Sequence, residues 1–109
     1  GTARVSGFDK ALSARRESFF VTNDAPDSAD IVWMLVTLDY TDEAGRQLHS
    51  RRERVRCHIP SGCTRRVDIP AWDTQHVYYY RLTPPRRRVQ GSAAPFDVRV
   101  RVDSIALLR

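Results

Sequence analysis

At 109 residues the chain has room for one hydrophobic core, and its 41% hydrophobic and 28% charged residues exclude a disordered tail. The longest apolar run, Ile31 to Val36, is far too short to span a membrane. The net charge of +5 is unevenly spread: residues 1–50 sum to −3 and residues 51–109 to +8, and every cation but Lys10 is arginine.

A basic half favours an anionic partner, although solvated arginines on an ordinary surface would read the same way. The chain begins at Gly1, which suggests a processed or trimmed product from which a signal or anchor could have been removed.

In chain order, Arg4 to Phe8 is expected to form the first strand. Phe8 to Arg16 offers a helix only one strongly apolar anchor, Leu12, so it reads as strand and loop. Arg16 to Thr22 puts Phe19 and Val21 on one face and Phe20 on the other. The segment 25–30, with its Pro, Ser and Asp residues, is a loop. Ile31 to Tyr40 is the central strand. Val32, Met34, Val36, Leu38 and Tyr40 share one face, while Ile31, Trp33 and Leu35 on the other predict cover on both sides at that end.

Asp42-Glu43-Ala44-Gly45 reads as a hairpin turn with Gly45 at positive φ. The return strand, Gln47 to His58, carries Arg51, Arg52, Arg54 and Arg56, which suits a sheet edge. Pro60-Ser61-Gly62 turns into Thr64 to Ile69, with Val67 and Ile69 inward. His76 to Leu82 is the sixth strand, and a long exposed loop then runs to Pro95. In the last strand Val98, Val100 and Val102 alternate with charges. The phase then flips at Ile105 and Leu107, which predicts a bulge near Asp103-Ser104. The whole describes an all-β fold over residues 1–109, an antiparallel immunoglobulin-like β-sandwich of about seven strands, with a small β-barrel as the alternative.

Three landmarks carry a family resemblance: Phe20-Val21-Thr22-Asn23 ending a strand, Leu38-Asp39-Tyr40 leading to the Asp42–Gly45 hairpin, and Ile59-Pro60-Ser61-Gly62-Cys63 as a Pro-x-Gly turn. In these the chain resembles the FxLYD-like and related immunoglobulin-like domains of bacterial periplasmic proteins and lipoproteins. The FxLYD signature is approximated by Thr37-Leu38-Asp39-Tyr40. The resemblance implies a scaffold or interaction module at the periplasm or cell surface, with no catalytic residue to carry over.

Cys57 and Cys63 flank five residues. If their strands pair, a disulfide can form across the turn; two separate thiols are the alternative, and a metal or redox role is a minor third. His49, His58 and His76 show no hydrolase or metal-ligand spacing, and neither a nucleophile elbow nor a phosphate loop is present. No catalytic, cofactor or metal residue is therefore assigned, and the chain is expected to be no enzyme.

The candidate binding residues are Trp72, Tyr79, Arg86, Arg87, Arg88, Arg52 and Arg54, since arginine forks and aromatic faces together grip anions, sugars or bases. The expected partner is another protein or an anionic envelope component, with nucleic acid or another polyanion as the alternative.

Overall fold

The alternation of Met34, Val36, Leu38 and Tyr40 makes one strand the spine of the molecule. In the computed structural model, which describes residues 2–25, 28–87 and 91–109, these four side chains are at most 1% exposed. Among the described residues seven strands occur in chain order: β1 (Ala3–Asp9), β2 (Arg16–Asn23), β3 (Asp30–Thr41), β4 (Gln47–Ile59), β5 (Thr64–Pro70), β6 (Tyr78–Tyr80) and β7 (Ala94–Leu108). They form a three-stranded sheet, β1-β2-β5, facing a four-stranded sheet, β4-β3-β7-β6. The predicted sandwich is therefore present, and the two separate sheets exclude the closed barrel. Among the described residues no helix is long and apolar enough to cross a membrane.

The core lies between the layers. Phe19 and Val21 of β2 and Val67 and Ile69 of β5 meet the β3 row, Val55 and Ile59 of β4, and Phe96 of β7. The β3–β4 hairpin closes as predicted. Gly45, at φ +81°, donates to the Asp42 carbonyl, and the Asp42 carboxylate accepts the amides of Ala44 and Arg46. β4 is an edge strand, again as predicted. The predicted bulge also appears: Leu35 pairs with Ser104 and Val36 with Val102, leaving Asp103 as the extra residue.

Three expectations change. First, β3 is not covered on both faces. A register irregularity between Ile31 and Trp33 turns Ile31 into the core. Trp33 is left 37% exposed, with no second layer over it among the described residues. Second, the sixth strand shrinks to Tyr78–Tyr80 and runs parallel to β7, so the four-stranded sheet is mixed. The Asp73 carboxylate captures the amides of Gln75, Val77 and Tyr78, and His76 sits at φ +58°, so residues 73–77 form a turn. The thirteen-residue connection 81–93 gives the chain the length a parallel crossover needs.

Third, β4 and β5 lie in different sheets, so the strand pairing that would set Cys57 against Cys63 does not occur. Both cysteines are free and half-buried against the core, and burial pushes the Cys57 thiol up from its ordinary range.

A bulge also marks β1. Ser6 pairs with Phe20 and Asp9 with Ser18, so β1 carries one extra residue, and Gly7 supplies it at φ +61°. A Cβ on Gly7 would lie 2.9 Å from a Phe20 ring carbon. Gly7→Ala is expected to lower stability by about 1–2 kcal/mol, through the left-handed backbone as much as the contact. An unchanged urea midpoint would contradict this.

Candidate functional site

Two buried ion clusters invite a catalytic reading, so their connections decide what they are. Glu17 on β2 shares the face of Phe19 and Val21 and is wholly buried. Its Oε1 accepts the Tyr40 hydroxyl and lies 3.0 Å from Arg51 Nη2, while Oε2 accepts the Trp72 amide at 2.6 Å. Arg51 also donates to the Tyr40 hydroxyl at 3.2 Å and to the Pro70 carbonyl at 2.8 Å. Burial pushes the Glu17 carboxyl above its ordinary range, outweighing the Tyr40, Trp72 and Arg51 donors that pull it down. Burial raises the Tyr40 hydroxyl as well.

The second cluster holds Lys10, only 1% exposed. Its Nζ donates to the carbonyls of Tyr78 at 2.7 Å and Leu12 at 3.2 Å, and lies 3.6 Å from Asp73 Oδ2. Desolvation lowers its pKa, with Asp73 and Glu17 opposing. Every charged atom in both clusters is spent on the protein itself, which makes them braces.

The predicted binding residues separate. Trp72 is half-buried against the core: it stacks on Tyr40 at 4.8 Å, on Tyr78 at 5.2 Å and on His49 at 5.9 Å, with Phe96 edge-on at 5.6 Å. Tyr78 and Tyr80 pack against the core, and Tyr79 faces the other way into a shallow hollow of about 260 Å³ with Pro84, Pro85 and Arg87. Arg86 and Arg87 line a larger open hollow of about 770 Å³ between their loop and Asp9–Ser13. Arg88 lies outside the described residues. Arg52 and Arg54 are on β4, at the opposite edge of the sheet from β6. The loop and strand arginines therefore form two surfaces, and Trp72 belongs to neither.

What the fold does assemble is the outer face of the four-stranded sheet. The pairing sets Arg56–Trp33–Ala106, Arg54–Leu35–Ser104, Arg52–Thr37–Arg101 and Ser50–Asp39–Arg99 in rows across β4, β3 and β7. Arg54 and Arg56 lie over the Trp33 ring, their guanidinium carbons 5.1 and 5.4 Å from its centroid. Such contacts contribute ~0.5–1 kcal/mol each when exposed.

Asp103, the bulge residue, accepts the Thr37 hydroxyl, sits 2.9 Å from Arg101 Nε and 3.5 Å from Arg52 Nε. The hydroxyl and then Arg101 hold its carboxyl below the usual range. Asp39 accepts the Ser50 hydroxyl at 2.6 Å. Beside Trp33 a shallow groove of about 370 Å³ runs over Leu35, Arg54, Ser104 and Ala106.

Five arginines (52, 54, 56, 99 and 101) thus face outward against three aspartates (39, 97 and 103), of which Asp97 is paired with Arg81. Trp33 escapes a sequence reading of the site because its apolar neighbours Ile31 and Leu35 mark it as covered, and Arg99 and Arg101 escape it because only the β3–β7 pairing brings them to this face. The pairing shifts by one residue between Thr41 and Tyr40, so counting outward from the Asp42–Gly45 turn sets Trp33 opposite Val55, and only that irregularity brings it beside Arg56. His58 pairs with Asp30 at 2.7 Å, but in the open, with its side chain 67% exposed.

Arg51→Ala would leave the buried Glu17 without its cation and is expected to cost about 3 kcal/mol near pH 7.5. The Glu17 pKa is already raised and rises further without Arg51. The variant therefore regains stability relative to the parent as pH falls through that pKa and the folded carboxyl takes a proton. Urea midpoints near pH 7.5 and pH 5 check this; equal losses at both would refute it.

Compared with models of protein families, with curated proteins and with solved structures, the chain has no significant match.

Proposed function

We propose that this chain is a non-catalytic interaction domain of a bacterial cell-envelope protein, working in the periplasm or at the cell surface. Its docking face would be the outer face of the four-stranded sheet. The envelope setting rests on the FxLYD-like turn landmarks. The observation that supports the docking face is Trp33, more than one-third exposed on the outer face, with the guanidinium groups of Arg54 and Arg56 over its ring. Tryptophan and arginine are the residues most often found at the energetic centre of protein interfaces. The charge balance of the face favours an acidic protein surface or another anionic envelope component as the partner.

A second reading, a nucleic-acid or other polyanion-binding module, draws on the same five arginines and on Trp33 as a stacking platform. Titration with labelled polyglutamate and labelled oligothymidylate at 50 and 200 mM salt separates the two. The first reading expects polyglutamate to bind and Trp33→Ala to weaken it by about tenfold without loss of fold. The second expects oligothymidylate to bind with a steep salt dependence. Binding of neither ligand at low salt removes this face as a docking site.

A further inference from the structure

The inward row of β7 differs from that of its neighbour β3. Met34, Val36, Leu38 and Tyr40 on β3 are sealed, whereas Val98, Val100, Val102 and Ile105 on β7 are only half-buried although they pack on the same core. The cause is the shortness of β6, which pairs with β7 only from Ala94 to Phe96. From Asp97 to Leu108 the same edge of β7 has no strand beside it among the described residues. Unpaired amides and carbonyls and a half-open valine row therefore lie along one line.

The other three edges are guarded. β4 bristles with Arg52, Arg54 and Arg56, β1 is broken by the Gly7 bulge, and β5 is short and ends at Pro70. β7 from Asp97 to Val102 carries outward charges of both signs, Asp97, Arg99 and Arg101, where β4 carries cations alone, and it has no proline, no bulge and no inward charge over a length of roughly 20 Å.

We propose that this free edge of β7 takes up an extended segment of another protein, one that alternates apolar and acidic residues. The proposal rests on reading the chain as an interaction domain, and adds a second, edge-on mode of capture. The apolar side chains of the incoming strand would cover Val98, Val100 and Val102. Its outward side chains would meet Arg99, which makes no ion pair among the described residues, and Arg101. A second copy of this chain fits less well. Asp97-Val98-Arg99-Val100-Arg101-Val102-Asp103 is a charge palindrome, so the two-fold register about Val100 sets Arg99 against Arg101 and Asp97 against Asp103. Like charges directly opposite destabilise a ladder.

The test is an amide-exchange and NMR titration with a synthetic ten-residue peptide alternating valine and glutamate, beside a valine–lysine counterpart. The glutamate peptide is expected to slow exchange within residues 97–102. Arg99→Glu should weaken it by about fivefold, Trp33→Ala should leave it unchanged, and the lysine peptide should not bind. Equal binding of both peptides, or no added protection at 97–102, overturns the proposal. Concentration-dependent protection of β7 in the chain alone, with a dimer by sedimentation, also overturns it in favour of a second copy. Glutamate-peptide binding that Trp33→Ala abolishes overturns edge capture while leaving the outer-face reading standing.

Discussion

A carboxylate placed between two sheets has to find donors away from its own ladder, and Glu17 finds all three of its own outside its own strand, two of them in the layer opposite. Tyr40 comes from β3, Arg51 from β4, and the Trp72 amide from the chain leaving β5. Desolvation absorbs most of the Coulombic gain, so the cluster adds little to net stability compared with an apolar core of the same shape. Its effect is on which arrangement forms. A one-residue slip of β2 would turn Glu17 to solvent with Phe19 and Val21, leaving Tyr40 and Arg51 unpaired at once. Register, layer order and the position of Trp72 are therefore tied to one side chain.

The Lys10–Asp73 brace extends that wiring to the end of the sandwich where β6 begins. Asp73 spends its oxygens on the amides of Gln75, Val77 and Tyr78, and Lys10 holds the Tyr78 carbonyl from the β1–β2 connection. The backbone of 73–77 is consumed in this turn, so the strand that follows starts late. Thr83 folds back onto the Tyr80 carbonyl and Pro84-Pro85 follows, so the strand also stops early. The brevity of β6 is the structural origin of the open edge on β7.

Period-two alternation made most of this legible. Phe19 and Val21, the β3 row, Val67 and Ile69, and the phase flip at Asp103 all announce themselves in the residue order. The burial of Glu17 was legible too, since it has the parity of Phe19 and Val21, but its charge argued against a core place. Trp72 follows Pro70 in a stretch with no periodicity, so nothing in its neighbours marks it as packed against the core. The cysteines turned on which sheet each strand joins, a long-range property that a five-residue spacing does not encode. The same holds for the direction of β6, which depends on contacts made more than a dozen residues later.

The charge asymmetry of the sequence becomes a spatial asymmetry through topology. The acidic half supplies β1, β2 and β3, and several of its carboxylates are taken up by partners within the chain, Glu17 in the interior on Arg51, and at the surface Asp24 on Arg4, Asp39 on Ser50 and Asp42 on the hairpin turn. The basic half supplies β4 and β7, and the strand order places these two on either side of β3. Because side chains alternate, the arginines at 52, 54, 56, 99 and 101 must share the face that the hydrophobic row leaves free. A β3 flanked by acidic strands would have carried the same core with a neutral or negative outer surface. The basic face and the half-open β7 edge thus follow from the order of strands in one sheet, and both converge on the same side of the molecule.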